Sequence, residues 1–142
     1  MIERARELIK KDGVSVAAVT PNRLEFCENG SSVRPLYRLY CAHKDELRGC
    51  AVADKVIGKA AACILVEAGA ASVFAYIMSE AAKELLTKNN IKAEYEKLVE
   101  YIENRDKTDM CPMEKTVLDC EDTSLAVSKI SEFIQKSAYS AK

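Results

Sequence analysis

In "TDMCPMEKTVLDC", residues 108–120, a cysteine stands directly before a proline, and a second cysteine follows nine positions on. Three chemistries suit such a residue: a metal ligand, a nucleophile at a helix start, or a small packed group. Pro112 is a good first helical residue, which makes Cys111 the cap. A helix N-terminus stabilises a thiolate and so raises its reactivity. Arg105 and Lys115 are nearby cations, and Glu114 could serve as a base. The sole histidine, His43, lies far away in a polar segment, so a Cys–His pair is no motif here. The nucleophile and the packed cap both stay open at this point, while Cys120 reads as core.

A second group surrounds "ADKVIGKA". Asp54 suits an N-cap, and a helix over 54–68 would then carry Lys55 and Lys59 one turn apart and stop at Gly69. Cations oppose the macrodipole at a helix N-terminus. Both lysines could instead face an anionic ligand such as a phosphate or carboxylate, with Gly58 allowing close approach. A solvated polar stripe on a buried helix explains the same residues. The segment is no phosphate loop, because the earlier glycine is missing and Ala60 replaces Ser or Thr. In "MSEAAKE", Ser79 caps a helix and Glu80 suits its first turn; their place after a buried strand also puts them at the mouth of a pocket. Asn104 and Arg105, in "ENRD", could add planar recognition of an anion.

Further back, the elements must position these groups. The chain has 142 residues and a net charge of −1, with no basic tract. That suits one domain, residues 1–142, and disfavours large nucleic acids as partners. The N-terminus is charged from its third residue, and the longest apolar run is broken by Glu67 and Gly69. Neither a signal peptide nor a membrane span is expected, which places the protein in the cytoplasm. Thiols stay reduced there, so the six cysteines need not pair, and most read as core. No two form C-x-x-C, so no structural zinc pattern is present.

Residues 2–11 read as an amphipathic helix stopped by Gly13, and 14–28 as a hairpin turning at "PN". A short helix after Pro35, a polar loop at 43–50, the helix 54–68 and the strand "SVFAYIM", buried on both faces, come next. A helix from Ser79, a strand from Ile91 and a short element at "PMEKTVLD" follow. The last helix turns Leu125, Ala126, Ile130, Phe133 and Ile134 inward. A hairpin feeding alternating helices and strands predicts a mixed sheet between helices, with a site at the carboxyl ends of the parallel strands.

"GCAVADKVIGKAAACILVEAG", "VFAYIMSEAAKELL", "IKAEYEKLVEYIENRD" and "CPMEK" together resemble the family called domain of unknown function 1893 over nearly the whole chain. The resemblance implies a cytidine deaminase-like fold: three layers, α-β-α, around a mixed sheet of about five strands. Working deaminases hold zinc with H-x-E on one helix and P-C-x-x-C on the next. Here Asp54 and Lys55 fall near the first position and Ser79 to Ala82 near the second. The usual ligands are missing, and "CPMEK" lies one unit later without its second cysteine. The expectation is a domain that needs neither zinc nor another cofactor. It binds a small anionic or nucleotide-like molecule through Asp54, Lys55, Lys59, Ser79, Asn104 and Arg105. Glu80, Glu114 and Cys111 are the candidate catalytic groups, and turnover is undecided. The alternatives are a cysteine-dependent enzyme using Cys111 and a non-catalytic regulatory or assembly module; homo-oligomerisation stays open.

Overall fold

The "PN" turn between "SVAAVT" and "RLEFCE" produces the predicted hairpin, β1 Val16–Val19 and β2 Glu25–Glu28, paired antiparallel. The turn is held by Thr20, whose Oγ1 accepts from the Leu24 amide at 2.9 Å. The computed structural model describes residues 1–104 and 106–140, with the side chains of 137–140 left aside. The predicted first helix is shorter than its pattern: α1 spans Ile2–Leu8, and Gly13 takes φ +78° in the turn beyond. Helix α2, Arg34–His43, begins beside Pro35 as proline geometry favours.

The largest correction concerns residues 51–57. They form β3, Ala51–Ile57, so 54–57 are not the first turn of a helix. β3 lies at the centre of the sheet, antiparallel to β1 and parallel to β4, Ser72–Ser79. Two neighbouring strands complete the backbone hydrogen bonds of this segment, and those pairings override its helical pattern. Asp54 is therefore no helix cap. It sits in mid-sheet, in register with Val16 and Ala75. Helix α3 starts only at Lys59 and runs to Ala68, with Gly58 as its cap residue and Gly69 in the left-handed conformation at its end.

β4 leads into α4, Glu80–Lys88, which is followed by β5, Lys92–Val99, parallel to β4. The β4 segment is buried on both faces at Val73, Phe74 and Ala75, whereas Tyr76 and Ile77 are half-buried. α5, Pro112–Val117, and α6, Thr123–Ser140, close the described chain. The strand order is β2-β1-β3-β4-β5, a mixed open sheet.

Apolar residues pack on both sides of that sheet. α1 covers one face, where Ala5, Leu8 and Ile9 meet Ala17, Ala53 and Phe74. The other face carries the main core, which includes residues of all five remaining helices. α3 is its centre: Ala60 to Leu65 are all buried, as an apolar helix requires. α6 packs over α3, and Thr123 Oγ1 donates to Glu67 Oε2 at 2.6 Å. Ala126 and Ile130 face inward as predicted, but Leu125 is 52% exposed. It sits in the first turn of α6, on the outer side of the helix from Ala126 and Ile130. Three cysteines, Cys50, Cys63 and Cys120, are buried, whereas Cys27 and Cys41 are exposed.

Candidate functional site

A cavity of about 770 Å³ opens on the main-core side of the sheet, where β3 ends and α3 begins. Four segments build most of it, with Ser15 and Phe133 added from just before β1 and from α6. β3 supplies Asp54, Lys55 and Val56, and α3 supplies Gly58, Ala60 and Ala61. The loop before α2 adds Ser31 and Ser32, with Arg34 at the helix start, and the chain around α5 adds Asn104, Cys111, Met113 and Glu114.

Asp54 is the group that costs most to place there. It is only 7% exposed and accepts from the Lys55 amide at 2.7 Å through Oδ1. No cation among the described residues forms an ion pair with it. Burial disfavours the charged carboxylate and pushes the pKa up to about 8; backbone amides of Lys55 and Val56 offset only part of that. At neutral pH Asp54 is thus mostly a neutral acid facing a cavity, able to donate as well as accept a hydrogen bond.

Glu114 is equally buried, at 8% exposure, but its oxygens are engaged. Oε1 accepts from the Lys59 amide at 2.6 Å and Oε2 from the Ala60 amide at 3.0 Å. It therefore caps α3 from 55 residues away, supplying the acceptor that Gly58 lacks. Burial still raises its pKa more than the amides lower it.

Cys111 does occupy the cap position of α5, half-buried and lining the cavity, but its side chain makes no capping hydrogen bond. Lys115 is paired with Asp109. The buried thiols are no better nucleophiles, since desolvation raises Cys50 and Cys63 to about 11.

Of the other expected residues, Lys55 is exposed and lines the cavity, whereas Lys59 turns away, its Nζ donating to the Leu118 carbonyl at 2.7 Å. The paired-lysine clamp is not formed, because one lysine is on a strand and the other on a helix. Ser79 is buried and caps α4, accepting from the Ala82 amide at 3.1 Å. Glu80 is exposed in the first turn of α4. Neither Ser79 nor Glu80 lines the cavity. Asn104 lines it and folds its own loop, with Oδ1 accepting from the Thr108 amide. Arg105 lies outside the described residues.

The residues present do not suit the zinc that a deaminase-like fold implies. Asp54 stands in a strand, the Ser79 hydroxyl is committed as a cap, and His43 stacks on Phe26 at 3.8 Å. Sequence reasoning missed Ser31, Ser32 and Arg34. The available signal was "NGSSVRP", a polar turn run into a proline-started helix.

Comparison with known proteins bears on the whole chain. The profile of the family described as TM1506: domain of unknown function (DUF1893) matches residues 4–134. A DUF1893 family protein (TM1506) from Thermotoga maritima, solved by crystallography at 2.70 Å, superposes with a TM-score of 0.83. It is 25% identical, and the alignment covers 92% of this chain and 87% of that one. Comparison with curated proteins gives no match. With 4–134 matched out of 142 residues, the chain belongs to the DUF1893 family.

Proposed function

We propose that this DUF1893 domain binds a small anionic or nucleotide-like molecule in the cavity beside Asp54. The observation that carries this reading is Asp54 itself: a carboxyl group 7% exposed, in mid-sheet, lining a cavity of ligand size. Isolated buried acids are costly, and such groups cluster at functional sites. A neutral acid there suits a ligand nitrogen or hydroxyl. The anionic end of the ligand has its partners in the same lining, in Lys55 beside Asp54, in Arg34 and in the hydroxyls of Ser31 and Ser32. Val33, Val56, Ala60 and Phe133 of the same lining offer apolar surface for a ring.

The same reading takes the strand order, an antiparallel pair joined to three parallel strands, as cytidine deaminase-like. It takes the domain as zinc-independent because the chemistry at Asp54 and Ser79 does not suit the metal. Lys59, Ser79, Glu80 and Glu114 are given structural work in this reading. No helix among the described residues is long and apolar enough to cross a membrane.

A thermal-shift screen against nucleosides, nucleotides and sugar phosphates tests it. A ligand at 100 times its dissociation constant stabilises by about 2.7 kcal/mol. The shift is expected to vanish in Asp54→Ala, and a screen in which no compound shifts the wild type sinks the reading. One observation favours a second reading, a cysteine-dependent enzyme: Cys111 lines this same cavity, half-buried. In that case alkylation of Cys111 abolishes turnover, while binding at Asp54 survives.

A further inference from the structure

α5 forms one wall of the cavity and is only six residues long. A helix so short has no stability of its own, so it is held by what it docks against. Met113 and Val117 dock it into the main core, and two of its polar ties run to the first turn of α3. Glu114 binds the Lys59 and Ala60 amides, and the Lys59 Nζ reaches the Leu118 carbonyl. The Lys59–Leu118 tie is exposed and competes with water. The Glu114 tie is buried, and the chain is shaped for it. A Cβ on Gly58 would stand 2.1 Å from Glu114 Oε1 and 2.5 Å from its carboxyl carbon.

We propose that Glu114 is the positioning residue of this wall, a latch whose release from Lys59 and Ala60 swings α5 off the cavity while the sheet stays folded. A hydrogen-bonded latch suits that task. When it opens, water replaces each lost bond, and the remaining cost is exposure of Met113 and Val117, which are 2% and 0% exposed in the closed form. The buried carboxylate also gains solvation on opening, which burial denies it in the closed form. The motion would uncover Cys111 and Met113, which face the cavity from α5 and its cap. The inference stands apart from the ligand reading, since the latch exists whether or not the cavity is filled.

Amide hydrogen exchange on the full chain tests it, read residue by residue without added ligand. In the wild type, the Lys59 and Ala60 amides are expected to exchange about tenfold or more faster than those of Val73 and Ala75, through local opening. In Glu114→Ala they lose protection, Val73 and Ala75 keep theirs, and iodoacetamide labels the Cys111 peptide about tenfold faster. Labelling is followed peptide by peptide by mass spectrometry, because Cys27 and Cys41 are also exposed. Gly58→Ala, which leaves Glu114 in place but evicts its carboxylate, is expected to reproduce the effect. The proposal is overturned if Lys59 and Ala60 exchange in step with Val73 in the wild type. It is equally overturned if Cys111 labelling is unchanged in both variants, or if protection falls evenly across the sheet. Should neither variant fold, the wild-type comparison decides alone.

Discussion

Gly58 and Glu114 occupy one volume: the carboxylate of Glu114 fills the space where a side chain at 58 would begin. The relationship joins β3, α3 and α5, and it determines where the helix beside the cavity starts. Substituting Gly58→Ala forces either the carboxylate or the backbone to move. The expected loss is about 1–3 kcal/mol, the usual range for overpacking. Urea denaturation measures it, and a variant as stable as wild type would show that the carboxylate has another place to go.

Ser79→Ala removes the acceptor for the Ala82 amide and leaves a buried donor unpaired. The expected cost is about 1 kcal/mol, within the range for N-cap removal. Ligand binding should be unaffected, because Ser79 does not line the cavity. A binding defect without a stability defect would contradict this assignment.

Asp54 predicts an unusual pH dependence. Its carboxyl rises from an ordinary 3.8 when unfolded to about 8 in the fold, so the folded state holds more protons between those values. Stability therefore falls as pH rises from about 4 to about 8, by up to roughly 1.4 kcal/mol per pH unit, and flattens above. Glu114, also raised by burial, adds a contribution of the same sign. Asp54→Asn isolates the Asp54 part: it should flatten the slope and gain stability relative to wild type at pH 8. Parallel wild-type and variant curves would mean that Asp54 is ionised in the fold.

The two lysines should separate. Lys55→Ala is expected to weaken an anionic ligand by roughly 0.5–1.5 kcal/mol, or about two- to tenfold. Lys59→Ala should leave affinity unchanged, since its ammonium binds the Leu118 carbonyl. Calorimetry with the best compound from the thermal screen gives both numbers, and equal losses in the two variants would restore the paired clamp.

Purified protein is expected to carry zinc well below one ion per chain. The expectation rests on the residues at Asp54 and Ser79, and elemental analysis checks it. Stoichiometric zinc that survives dialysis against a chelator would overturn it.

Wherever the reason for an element was local, the sequence alone determined it. The hairpin follows from the turn signal at Pro21 and Asn22, α4 from the Ser79 cap, and the stop of α3 from Gly69. Cys111 is the cap residue of α5 because a proline follows it. The tertiary structure alone decided the site. Residues 54–57 carry a pattern that a helix could use, and only pairing with β1 and β4 makes them part of a strand. That pairing moves Asp54 from a helix cap to a buried acid and parts Lys55 from Lys59. The acceptor that α3 needs arrives from Glu114, 55 residues on. Neither partnership leaves a trace in local spacing, because it arises from backbone and side-chain groups that meet only after the chain has folded.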